Sequence, residues 1–405
     1  MTSRNPSDNA WEFKRRFRRH AFGWRSQPAV QRVREAVREI KRVARRDPAL
    51  AADGAVAFIE RISPALENVD SSSGSIGTAV NNAIAELVPL IAGAAADPRT
   101  RDRWLERMWA AHEADQMPYI EQLGEYWGEL CGSVEMASRW ADQLIETTRL
   151  ALSPDRSVRG FFHGTTACLS ALFNAGRYEE ILDVLEHEEG WHYKVWAVRA
   201  LAALGRKTEA VQAAESSRGR YTSDLAVDAE CEQIMLSSGL IDEAYRRYGL
   251  SANRAGTYLA TFRAVARKYP RKAPEDILSD LVATTPGEEG KWFATAKDLG
   301  LYQEALALAT LSPCDPKTLT RAAEDFVKDN PGFAVGAGLL AIDWLVKGYG
   351  YEISGADVWA AYSKTVAAAG AVGREAEVIE RVRQMVLGDG PGGFVRRILE
   401  RELEL

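Results

Sequence analysis

Apolar residues recur at steps of three and four along most of this 405-residue chain, the spacing of a helix that buries one face. The clearest early case spans residues 28–46. Val30, Val33, Val37, Ile40 and Ala44 fall on one side, while Arg32, Arg34, Arg38, Lys41, Arg42 and Arg45 fall on the other. Asp47 and Pro48 end that helix, because a proline disfavours helical geometry in the residue before it. The helical pattern continues over residues 49–152, with expected breaks at Ser63-Pro64, at residues 70–77, at Asp97-Pro98, at Met117-Pro118 and at Gly132-Ser133. Such breaks predict a succession of helix hairpins. Trp104, Trp109, Trp127 and Trp140 lie on these stretches, where rings this large are expected to plug helix junctions.

The second half repeats a short pattern: a helix-like run, a glycine, three variable residues, a glutamate and an apolar residue that opens another run. Its copies are Gly176, Glu180 and Ile181; Gly205, Glu209 and Ala210; Gly239, Glu243 and Ala244; Gly300, Glu304 and Ala305. A weaker echo is Gly373, Glu377 and Val378. Glycine suits a helix end that closes in the left-handed region, and the glutamate falls in the first turn of the next helix, facing its positive end. The glycines stand 29, 34 and 61 residues apart, and the long gap leaves residues 253–279 as a degenerate copy. Helices are also expected at residues 334–347, 355–369 and 374–387, then a glycine-rich linker at 388–393 and a charged final helix at 394–403 that would cap the array.

These copies resemble the tetratricopeptide pattern, in which Gly-x-Tyr-x-Glu-Ala opens the second helix of each unit. Gly176 to Ile181 and Gly300 to Ala305 match it best. The resemblance covers roughly residues 160–310, with units of irregular length and few of the usual Trp and Pro positions. It implies an all-α solenoid of helix hairpins, tetratricopeptide-like from about residue 160, with a HEAT-like arrangement open for the part before it. The whole chain also resembles a family of uncharacterised bacterial helical proteins, which implies no activity. The expected segments are a basic aromatic arm with the first helix (1–48), N-terminal hairpins (49–159), tetratricopeptide-like repeats (160–330) and C-terminal helices with a cap (331–405).

Composition adds little to this picture and charge adds more. Hydrophobic residues make up 46% and charged residues 27%, as in folded globular chains. The start is polar and unlike a signal peptide, and the apolar stretch at residues 83–96 carries Glu86 and Pro89. The expectation is a cytoplasmic protein without a membrane span. Residues 11–46 hold thirteen Lys or Arg against three Glu, a charge of +10, which leaves −16 for the remainder of a chain whose total is −6. Lys14, Arg15, Arg16, Arg18, Arg19 and Arg25 are interleaved there with Trp11, Phe13, Phe17, Phe22 and Trp24. This arm could dock on the acidic remainder of the chain, neutralise and stack on nucleic acid, or meet an anionic membrane surface.

Chemistry-bearing patterns are sparse. Cys131, Cys168, Cys231 and Cys314 lack the spacing of a zinc site or a disulfide framework, so buried thiols are expected. His163 and Cys168 have no informative third partner, His187 and His192 do not complete a metal set, and residues 287–292 miss the phosphate-loop spacing. Residues 70–75, rich in serine before a helix start, could hold an anion or simply connect helices. No metal or cofactor is expected. Binding candidates are Trp191, His192 and Trp196, together with Arg254, Tyr258 and Arg263, in two runs that fall on first helices expected to line a concave groove, and His163, which could face the groove. Arg254, Tyr258 and Thr261 recur at four and three residue steps as one polar stripe, whose Arg and Tyr could clamp a carboxylate or an acidic peptide, or tie adjacent repeats together. The leading expectation is a non-catalytic scaffold for a protein or peptide partner. Alternatives are nucleic-acid binding through the arm and an enzyme acting on a small anionic substrate near His163, Trp191, His192 and Arg254.

Overall fold

A computed structural model describes residues 11–388 and 392–405. Among them the chain is all-helical, and no β-strand is formed. It divides into two compact units at residues 223 and 224, a break that falls inside the stretch 160–330. Asp389, Gly390 and Pro391 of the expected linker lie outside the described residues.

The first unit begins with α1 (Glu12–Arg16), α2 (Ser26–Ala44), α3 (Pro48–Leu66), α4 (Ser75–Ala92) and α5 (Pro98–Glu113). It continues through α6 (Trp127–Cys131), α7 (Val134–Ala151), α8 (Thr165–Asn174), α9 (Tyr178–Val184), α10 (Trp191–Ala203) and α11 (Lys207–Glu215). Helices α2, α3 and α4 pack on one another, and α3 also packs on α5. Side-chain caps set several starts: Asp47, Asp97 and Ser133 accept backbone N–H groups of the first turns of α3, α5 and α7. The break expected at Ser63-Pro64 does not occur, and α3 runs on to Leu66 with Pro64 inside it. Ile59, Ile62, Ala65 and Leu66 are fully buried around that proline, so core packing outweighs the missing hydrogen bond.

Trp109, Trp127 and Trp140 form one cluster, with ring centroids 5.0 to 5.6 Å apart. Trp104, Trp127 and Trp140 are buried, as helix-junction plugs should be. Arg101 is buried and pairs with no carboxylate among the described residues. Its guanidinium instead donates to the carbonyls of Ile91 at 2.5 Å, Ala94 at 2.8 Å and Ala92 at 3.2 Å, around the end of α4 where the helical ladder runs out. Among the described residues one helix, α4, is long and apolar enough by length and composition to cross a membrane. Its apolar side is committed to the core through Ile76, Val80, Ile84, Leu87, Val88 and Ile91, while Thr78, Asn81, Asn82 and Glu86 are exposed.

The second unit holds α12 (Asp224–Ser237), α13 (Ile241–Ala244), α14 (Tyr258–Lys268), α15 (Pro274–Ala283), α16 (Phe293–Asp298) and α17 (Tyr302–Leu311). It ends with α18 (Pro316–Asp325), α19 (Pro331–Val346), α20 (Gly355–Gly370), α21 (Glu375–Leu387) and α22 (Phe394–Leu399). The core here runs through Phe293, Phe333, Ile342 and Val382, and the final segment joins it through Val395, Leu399 and Leu403.

All four repeated glycines adopt left-handed backbone, with φ of 74° at Gly176, 80° at Gly205, 75° at Gly239 and 77° at Gly300. Each corner carries the same bond. The N–H after the glycine reaches the carbonyl five residues back: Arg177 to Leu172, Arg206 to Leu201, Leu240 to Met235 and Leu301 to Ala296, at 2.9 to 3.0 Å. Arg374 to Ala369 repeats it at the echo. The apolar residues that follow the glutamates, Ile181, Ala210, Ala244, Ala305 and Val378, are buried. Where arginine follows the glycine it pairs with the glutamate, as Arg177 does with Glu180 and Arg206 with Glu209, both at 2.7 Å. In the copies with leucine after the glycine, Glu243 and Glu304 still fall in the first turn of the next helix, so what the copies share is a carboxylate at that helix start.

Candidate functional site

In the second unit, one concave site collects cations and hydroxyls. A cavity of about 410 Å³ is lined by Arg246, Arg247, Arg254, Thr257, Tyr258, Thr261, Thr285 and Trp292, among others. Its wall begins in a π-helical turn, Tyr245–Gly249, which keeps Tyr245 and Tyr248 buried and leaves Arg246 and Arg247 exposed. Arg247 reaches Glu243 at 3.6 Å and lies over the Tyr248 ring. Thr257 caps α14 by accepting the Ala260 N–H, so the helix starts at Tyr258. Arg254 therefore sits on the turn before α14 and not on a shared helical stripe with Tyr258 and Thr261, which corrects the expectation from spacing. The turn still brings Arg254 and Tyr258 into one cavity.

The floor is aromatic. Tyr258 meets Trp292 edge-on at 4.7 Å, and the Trp292 indole N–H donates to Thr285 Oγ1 at 2.8 Å. The Tyr258 hydroxyl donates to Glu288, which also takes Lys291 at 2.5 Å. Burial and that acceptor push the Tyr258 phenol up, whereas the Lys291 and Tyr258 hydrogen bonds, helped by Arg254, hold Glu288 below the usual carboxylate range. Arg263 is elsewhere: it is exposed, pairs with Asp298 at 2.8 Å and does not line the cavity. Arg246 was missed in the sequence. Its signal was the run Tyr245-Arg-Arg-Tyr248, whose paired tyrosines anchor a turn that displays the arginines between them.

The remaining candidates belong to the first unit and do not form one site. Trp196 is a core residue, 3% exposed, with Arg199 over its ring at 5.1 Å. Trp191 packs partly against the same core, and exposed His192 meets Thr166 Oγ1 at 3.3 Å. His163 lies on a different cavity, against Phe161 and 6.4 Å from the buried ring of His112. Cys168 has no imidazole among the groups acting on it, and burial pushes its thiol up to about 11. Cys131 and Cys314 are pushed up to about 12 for the same reason. Such thiols are poor nucleophiles. Among the described residues no group of three or more His, Cys, Asp or Glu is placed to hold a metal ion.

No family model, curated protein or solved structure matches the chain. The geometry alone therefore bears on function.

The arm is integrated with its own unit. Trp11, Phe13 and Phe17 are buried against Phe58 and neighbours, so three of the five aromatics considered for base stacking have no face to offer. The backbone N–H groups of Glu12 and Phe13 donate to Glu39 at 2.8 and 3.2 Å. Arg16 pairs with Glu35 at 3.0 Å and Arg19 with Glu67 at 3.3 Å. Arg15, Arg18, Arg25 and the exposed Trp24 line an open hollow beside them, and Lys14 is half-buried.

Proposed function

We propose that this chain is a non-catalytic helical-repeat scaffold and that its second unit binds an acidic segment of a protein partner. The carrying observation is the cavity into which Arg246 and Arg254 project beside the Tyr258 and Trp292 floor. Guanidinium groups form paired hydrogen bonds with carboxylates, and an aromatic floor gives an adjoining side chain apolar area to cover. The recurring glycine corners support the tetratricopeptide-like reading, since each closes one helix and opens the next with the same backbone bond. Buried, high-pKa thiols and the scattered histidines favour binding over catalysis.

The test is fluorescence anisotropy with a labelled glutamate-rich decapeptide. Arg246→Glu combined with Arg254→Glu should weaken binding at least about tenfold, which is roughly 1.4 kcal/mol. Arg263→Glu, outside the cavity, should leave affinity unchanged. Equal losses in both variants, or no binding by the native chain, would sink the reading.

A further inference from the structure

The helix α2 has two differently charged flanks. Its carboxylates, Glu35 and Glu39, both turn toward the arm, where Arg16, Arg32 and two backbone N–H groups satisfy them. On the flank toward α4, Arg34, Arg38, Lys41, Arg42 and Arg45 line a groove of about 640 Å³. One carboxylate, Glu86, lines it too, and Lys41 takes that at 2.7 Å. Arg34, Arg38, Arg42 and Arg45 are exposed and make no ion pair among the described residues. Opposite them α4 contributes Ser75, Thr78 and Asn82, all hydrogen-bonding side chains.

We infer that this α2–α4 groove is a phosphate-backbone site that holds nucleic acid without reading its sequence. Arg34 and Arg45 lie eleven residues apart, roughly 16 Å along the helix at 1.5 Å per residue. A nucleic-acid strand places one charge per about 3.4 Å of axis, so roughly five phosphates pass along that row. Four of the five cations are arginines, whose planar fork matches phosphate oxygens better than a lysine does. The groove lining contains no aromatic ring, which removes base stacking as a contribution and leaves backbone contact. Its apolar part is Val33, Val37, Ala79 and Ala83, too small and recessed to anchor a peptide side chain or to enter a lipid layer. This site is separate from the cavity proposed for an acidic segment, and either can fail without the other.

The experiment uses the full chain and a labelled 20-base-pair DNA duplex of mixed sequence, with anisotropy followed as NaCl is raised. Four phosphate contacts give a logarithmic slope of about −3.6, an affinity loss of about 150-fold between 50 and 200 mM salt. R38E combined with R45E should cut the slope by about two and weaken binding more than about tenfold at 50 mM, with R38A plus R45A moving the same way by less. R15E combined with R18E, on the opposite flank, should change affinity less than about twofold. All four positions are exposed, so helicity and melting should be unaffected in every variant. The inference is overturned by a flat salt response, by equal losses in the two glutamate pairs, by displacement of the duplex by poly-glutamate at equal charge, or by binding to phosphatidylserine vesicles in place of the duplex.

Discussion

At the residue scale, the informative side chains are those whose partners come from distant parts of the chain. Arg101 is legible in the sequence only as an arginine in the first turn of a helix, yet it closes the carbonyl end of another one. Arg107 likewise joins Asp53 at 2.8 Å and Glu60 at 2.7 Å, tying α5 to α3. His112 gives a pH prediction. It is buried, its ring stacks on Trp109 at 5.6 Å, and burial lowers its pKa below the ordinary 6.5. The unfolded chain then takes up the proton first, so the contribution of neutral His112 is present above about pH 6.5 and is lost as pH falls through the folded value. Melting temperature should fall between about pH 7 and pH 5, and His112→Phe, which keeps the stacking ring, should flatten that fall. A profile unchanged by the substitution would remove His112 as its source. Asp70 and Asp97, whose pKa values are lowered by hydrogen bonds, titrate below this window.

Elements were the most readable level, and the reason is that helix ends are local. A left-handed glycine needs only its own backbone angles, so Gly176, Gly205, Gly239 and Gly300 could be placed at corners from spacing alone. Two glycines separate local conformation from packing. A methyl group on Gly205 would meet nothing within 4 Å, but its φ of 80° is unfavourable for alanine. Gly205→Ala should therefore cost about 1 to 2 kcal/mol from backbone strain. Gly338 is inside α19, where a β-carbon would stand 2.2 Å from Thr365 Oγ1 of α20. Gly338→Ala should cost more, about 3 kcal/mol, because α19 and α20 must move apart to admit the methyl group. Urea denaturation of the two variants checks the order, and a milder loss at Gly338 would contradict the close approach. Where local rules conflicted with packing they lost: Pro64 did not end α3, because the residues around it are core. The polar stripe through Arg254 fails for a local reason, since Thr257 caps α14 and puts Arg254 before the helix.

At the scale of the whole molecule, the chain divides at residues 223 and 224 after an irregular stretch in which Tyr221 is 92% exposed. Brief trypsin or chymotrypsin treatment should cut first near Arg218, Arg220 or Tyr221 and yield two persisting fragments, with mass spectrometry locating the cut. First cleavage inside α2 to α10 would argue against that division. No compositional change marks this boundary, because contacts rather than residue types define it. The sequence by itself determined the all-helical class, the hairpin corners and the concentration of positive charge near the N-terminus, all of which follow from neighbours within about one turn. Tertiary structure decided which charges remain available. It sank Trp11, Phe13 and Phe17 into the core, spent Arg16 and Arg19 on carboxylates, and left Arg34, Arg38, Arg42 and Arg45 lining a groove whose one carboxylate, Glu86, is taken by Lys41. It also gathered Arg246, Arg254 and Tyr258 around one cavity while leaving Arg263 outside. A residue's type is written in the chain, but its partners depend on which surfaces packing brings together.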